Sequence, residues 1–261
     1  MDWLTSLPVG LLVVAWLTIT IGTVLVARVG VAALVPRAEH DRVVPIVAPL
    51  MPALGAAFGI LMALTVASGA ADLRSAQEIV AGEAAAASRL AWAATSPGVG
   101  SEPIHTALFD YLAATRSLEW HGDDAAGGEP RVAATLATLE RAVRAEAARD
   151  DLSTSESTEL ITSLDALTSG RRSRLAAASS DIPGLYVITL LASGVALIIN
   201  AGALGVRSSL RTSLLMIGLA SVVGLSLALM FSLSAPWRGG FVVSGEALDS
   251  IMGDLRSGFF R

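Results

Sequence analysis

Apolar positions in this chain form long unbroken runs instead of alternating with charge. No charged residue falls within 3–27, 43–71, 182–206 or 212–237. A helix of about 25 residues is roughly 37 Å long, enough to cross a hydrocarbon core of about 30 Å with some tilt. The runs therefore predict four transmembrane helices: Pro8 to beyond Ala27, about Val43 to Ser68, near Ile182 to Val206, and about Thr212 to Ser234. Pro8 suits a first helical turn. Asp2 precedes it and no arginine comes before Arg28, so the first run is expected to stay as a helix and not be cleaved as a signal peptide.

Between the second and third runs the pattern switches to an amphipathic helical repeat. Leu73, Ala76, Val80, Glu83, Ala87, Leu90 and Ala94 step by three and four, so one helix continues out of the second span until SPGVGSEP stops it. Ile104, Leu108, Tyr111, Thr115 and Leu118 mark another helix, ended by HGDDAAGGEP, and Val132, Leu136, Leu139, Val143 and Ala147 a third. STSE, Ser153 to Glu156, reads as a capping box before Leu160, Leu164, Leu167, Arg171 and Leu175. The predicted fold is an all-α membrane protein: four transmembrane helices with an inserted extramembrane four-helix bundle. Its parts are residues 1–69 and 182–234 in the membrane, 70–181 as the bundle, and 235–261 as a tail with a short amphipathic stretch from Gly245 to Leu255.

Composition agrees: 53% of the 261 residues are hydrophobic and the mean hydropathy is +0.64. There is no cysteine, which excludes disulfides and thiolate chemistry. All 18 basic residues are arginine, which with the alanine richness suggests a high-GC bacterial genome. Residues 70–181 hold 17 acidic residues against 10 arginines, a net of −7, and the remainder is +2. Trp3, Tyr186 and Trp237 fall at span ends that four crossings place on one side, as an interfacial belt requires. Five arginines near the spans on each side leave orientation balanced. The first helix, with none before it and three after it, leans toward an extracytoplasmic bundle.

No enzyme signature is present: no phosphate-cradling glycine loop, nucleophile elbow or His-Glu-x-x-His. His40, His105 and His121 lack metal-ligand spacing, and Asp123, Asp124 and Glu129 lack that of a calcium loop. No cofactor, metal or nucleic-acid partner is expected. The second span carries the more specific signal. On a helical wheel Pro45, Pro49, Pro52, Ala56, Gly59 and Ala63 share an arc of roughly 80°, opposite bulkier side chains. Each proline removes an amide and frees a carbonyl one turn earlier, those of Asp41, Pro45 and Ala48. At membrane depth such a face either packs tightly on protein or lines an aqueous path. Asn200 in the third span must also find a polar partner or a cavity.

Three segments resemble the bacterial bestrophin-like family. They are EHDRVVPIVAPLMPALGAAFGILMALTVASGAADLRSAQEIVAGEAAAASRLA, GRRSRLAAASSDIPGLY before the third span, and APWRGGFVVSGEAL after the fourth. The resemblance implies kinship with bestrophins, pentameric anion channels whose second transmembrane helix lines the pore and whose large domain is cytoplasmic. Two departures stand out. The bestrophin neck is formed by bulky apolar side chains, where this face is proline, alanine and glycine. Glu246, Asp249 and Asp254 are dispersed where calcium-gated members have an acidic run. Two functions are therefore expected in a multi-pass protein of the cell membrane. One is a homo-oligomeric ion channel, the other a non-conducting scaffold that docks a membrane-complex partner through its acidic domain.

Overall fold

The computed structural model describes residues 9–34, 45–120, 127–179, 184–204, 210–233, 237 and 242–260. Trp3, the hinge from Pro36 to Arg42, His40, His121, Asp123, Asp124 and most of the APWRGG turn lie outside these residues. The described residues form helices and no strand. They are α1 (Val9–Leu34), α2 (Leu50–Ala93), α3 (Ser101–Leu118), α4 (Pro130–Ala147), α5 (Thr154–Ala178), α6 (Gly184–Leu204), α7 (Leu210–Leu233) and α8 (Glu246–Ser257). Four of them, α1, α2, α6 and α7, are long and apolar enough to cross a membrane. The all-α membrane architecture expected from the sequence is the one observed.

The chain divides into two compact units. The first comprises 1–71, 181–235 and 239–241, and the second 72–180, 236–238 and 242–261. In the first unit α1 packs closely on both α6 and α7. Lipid tails are as apolar as leucine, so contact here depends on close fit and not on the exclusion of water. Small residues supply that fit. A Cβ at Gly224 would lie 2.6 Å from Thr20 Oγ1, and one at Gly202 2.8 Å from the Ala27 Cβ. Gly194 meets the Phe58 ring, and Trp16 stacks on Phe231 with centroids 5.1 Å apart.

In the second unit the end of α2 joins α3, α4 and α5 around a core that includes Leu90, Ile104, Leu108, Leu112, Leu139, Leu160 and Leu164, all buried. Ser153 caps α5 as the sequence predicts: its hydroxyl accepts from the Glu156 amide, and Glu156 Oε2 accepts from the Ser153 amide at 3.1 Å. Proline occupies the start of α4, where its missing amide costs nothing. The tail is part of this core. Trp237, Val243, Leu248 and Phe260 are buried in it, and α8 packs on α3 before closing on Gly258 in the left-handed conformation.

Residues 45–47 are helical, 48–49 form a turn and the long helix runs from Leu50, since Pro49 and Pro52 cannot continue the amide ladder; the expected start of the second span at Val43 lies outside the described residues. One expectation is corrected. Trp237 is no lipid anchor, being 4% exposed with its ring edge-on to Trp120 at 5.6 Å. An indole on a water-facing domain gains more by burial than by remaining at an interface.

Candidate functional site

The first half of α2 has three distinct faces. Phe58 and Met62 are buried in the first unit's core, and Met51, Leu54, Leu61 and Val66 pack against it. Roughly 140° away around the helix, at 100° per residue, Pro49, Pro52, Ala56, Gly59 and Ala63 are all exposed, as is Pro45 before the helix starts. No described helix of the same chain covers them, and a Cβ on Gly55 or Gly59 would meet nothing within 4 Å. A third face carries Ile46, Leu50, Ile60 and Leu64, bulky and 51–68% exposed.

Of the three carbonyls expected to be freed, that of Ala48 is engaged, and that of Asp41 lies outside the described residues. The Ala48 carbonyl accepts the Met51 amide at 3.3 Å, a tighter bond that replaces the one Pro52 cannot make. Pro52 itself lies in the first turn of α2, where amides have no intrahelical acceptor. The proline face is therefore less demanding of water than its composition suggests. Asn200 is 8% exposed in α6, and its Oδ1 has no partner among the described residues. It lies on a different helix from the small face and is not joined to it by any described bond.

The second unit holds a buried ionic cluster that the sequence reading passed over. Arg174 donates to Glu83 Oε2 at 2.7 Å and to Glu119 Oε2 at 3.1 Å, and all three side chains are fully buried. Arg171 also donates to Glu119, and Tyr111 donates its hydroxyl to Glu83 Oε1 at 2.7 Å. Gly170 lets α5 approach here, since its Cβ would lie 3.1 Å from the Glu83 Cα. Burial works against the Arg174 charge, but Glu83 and Glu119 hold its pKa above the ordinary value. Burial also pushes the Glu119 carboxyl upward. The hydrogen bonds from Arg171 and Arg174 outweigh that and hold it below the usual range. Burial, then the charge of Glu83, keep the Tyr111 phenol well above its usual pKa. The signal was legible: Glu83 and Arg171 occupy positions of otherwise apolar stripes.

This cluster ties α2, α3 and α5 together. His105 places Nε2 3.0 Å from the Ala91 carbonyl, a bond between α3 and α2. Asp249 is engaged by Arg116 at 2.8 and 3.0 Å. Among the described residues no acidic or histidine group has metal-binding arrangement.

The family model for the bestrophin-like domain matches residues 18–248. No curated protein matches the sequence. Among solved structures, the chain is similar to a crystal structure of a mutant bacterial bestrophin homologue from Klebsiella pneumoniae. The TM-score is 0.71 at 12% identity, over 95% of this chain and 99% of the other. A second mutant of a Klebsiella pneumoniae homologue gives 0.67 at 16% identity, over 94% and 99%. A crystal structure described as a membrane protein gives 0.66 at 12% identity, over 94% and 97%. At these identities the likeness is one of fold.

Proposed function

The chain belongs to the bestrophin-like family, and from that premise we propose that it is one subunit of an oligomeric anion channel with the small face of α2 toward the conducting path. The observation that carries this reading is the division of α2 into three faces. One is committed to the subunit's own core, and two are left uncovered by it. A face of proline, alanine and glycine offers lipid little contact area, while the bulky flank of Ile46, Leu50, Ile60 and Leu64 offers much. In a ring of copies the flank meets a neighbour or lipid, and the small face is free to turn to the axis. Described residues 45–71 hold no carboxylate that would favour cations there. Anion conduction is carried over from what bestrophins do, and so is closure of the ring as a pentamer.

Flux measurements on protein reconstituted in liposomes test the reading. Gly59→Leu should leave the assembly intact and reduce anion flux several-fold. Ala56→Arg should assemble as well, because arginine in a wet path avoids the several kcal/mol it costs against lipid, and should raise selectivity for anions. Gly224→Leu is the contrasting control. It forces α7 off Thr20 of α1 and should cost folded subunit. A parent protein without flux, together with loss of assembled Gly59→Leu and Ala56→Arg, would leave the scaffold function.

A further inference from the structure

The small face of α2 does not end with the apolar run. The helix is unbroken from Leu50 to Ala93. At 100° per residue, the arc of Pro52, Ala56, Gly59 and Ala63 therefore continues through Ala67, Ala70, Arg74, Gln77 and Ala81. Of these added positions Ala70 is half-buried and the others are exposed. Between 45 and 81, Arg74 is the single charged residue on the arc. It follows Ala70 by about 6 Å along the helix and Gly59 by about 22 Å. The opposite side of α2 is committed at the same level. A Cβ on Gly69 would lie 3.2 Å from the Leu233 Cβ, and Ala76 and Val80 are buried. These three positions lie roughly 120–160° around the helix from Arg74, so its own subunit turns that arginine outward with the small face. Two carboxylates are near in sequence. Asp72 lies about 160° away, and Glu78 falls just outside the arc, one turn further from Gly59.

We propose that Arg74 sets the anion preference of the conducting path, a role that rests on the reading of α2 as the lining of that path. With the small face toward the axis of a ring, each subunit brings one guanidinium to the same level at the mouth of the path. Rings of arginine or lysine favour anions in this way. Residues 45–71 carry no charge of either sign, so no side chain of the apolar stretch competes with that ring. Arginine stays protonated throughout the working pH range, and its field reaches about 8 Å at physiological salt. The preference is therefore independent of pH and weakens as salt rises.

The test uses the full chain in liposomes under a potassium chloride gradient, with the reversal potential as the readout. The parent should favour chloride over potassium. Arg74→Gln should assemble as the parent does, because the side chain is exposed. It should lower the chloride-to-potassium permeability ratio about fivefold, what one unit charge about 4 Å away is worth in water. Arg74→Lys should restore the ratio. In this cysteine-free chain, Arg74→Cys should behave like Arg74→Gln. Coupling it to a cationic thiosulfonate should recover the parent ratio, and coupling to an anionic one should lower it further. Arg89→Gln removes an equal charge from the same helix, outside the arc, and should leave the ratio unchanged. A conducting parent whose ratio is the same in Arg74→Gln, or moves equally in Arg89→Gln, would overturn the role of Arg74 and leave α2 as the lining. A parent that conducts nothing would overturn both.

Discussion

Glu83 takes a place in the α2 repeat that Val80 and Ala87 fill with apolar side chains, and the fold responds by bringing Arg174 to it from 91 residues away. Removing one member of a buried ion pair leaves the other charged and unsolvated, a loss of about 3–5 kcal/mol. Arg174→Met, of similar length, leaves both Glu83 and Glu119 short of a donor. Its expected cost is of that order, read as a lower unfolding temperature by circular dichroism in detergent. Glu119 adds a pH dependence. Its pKa is depressed in the folded state, so it contributes stability in full above the ordinary carboxylate value of about 4.3. That contribution is lost as pH falls through the depressed folded value. Stability should therefore decline on acidification below about pH 4, and Glu119→Gln, less stable at neutral pH, should show a shallower acid limb in the same scan. Sequence reading placed Glu83 and Arg171 on the right faces but took them as members of an apolar stripe. Arg174 lies one step aside from that stripe, and Glu119 falls just beyond the end of α3. Periodicity reports which face a residue occupies. The choice of partner across tens of residues is a property of tertiary packing.

At the scale of elements, what was legible was what is encoded locally. Uncharged runs of about 25 residues gave the four spans, three-and-four spacing gave α3, α4 and α5, and the Ser153–Glu156 box gave the start of α5. The turn at 48–49 was not legible, because an apolar run does not say where proline breaks the ladder inside it. The role of the tail was missed for a different reason. A 12-residue amphipathic helix has an obvious apolar face but nothing in it names the surface that face will cover. In the structure Leu248 and Phe260 complete the same core as Ile104 and Leu108, Trp120 donates its indole N–H to the Val243 carbonyl at 3.3 Å, and Arg116 grips Asp249. Each fully buried apolar side chain of this size contributes about 1.5–3 kcal/mol. A chain ending at residue 235 should accordingly keep its membrane helices but unfold its second unit at a clearly lower temperature. Limited proteolysis should cut α3 or α4 first. An isolated 72–180 fragment should gain helicity on addition of a peptide covering 236–261, and a fragment equally stable without it would show the tail contributes little.

For the whole molecule the open physical question is which side of the membrane the second unit occupies. Four crossings put both of its connections on one side, opposite the short loops after α1 and α6. Counting arginines near the spans gives five for each side. The first helix weighs heavily in insertion, and Arg28, Arg37 and Arg42 lie at or beyond the end of its uncharged run while Asp2 stands before it. On that charge bias we propose that the short loops are cytoplasmic and the second unit lies outside. The chain has no cysteine, so single cysteines report cleanly. Ser101→Cys and Gly127→Cys should both react with a membrane-impermeant maleimide in intact cells, and Ala38→Cys only after permeabilisation. The reverse pattern would keep four spans, assign the bestrophin orientation and show that the first-helix bias was overridden. Reaction of Ser101→Cys and Ala38→Cys together in intact cells is incompatible with the single crossing by α2 that separates them, and would remove the premise on which the α2 face is placed at membrane depth.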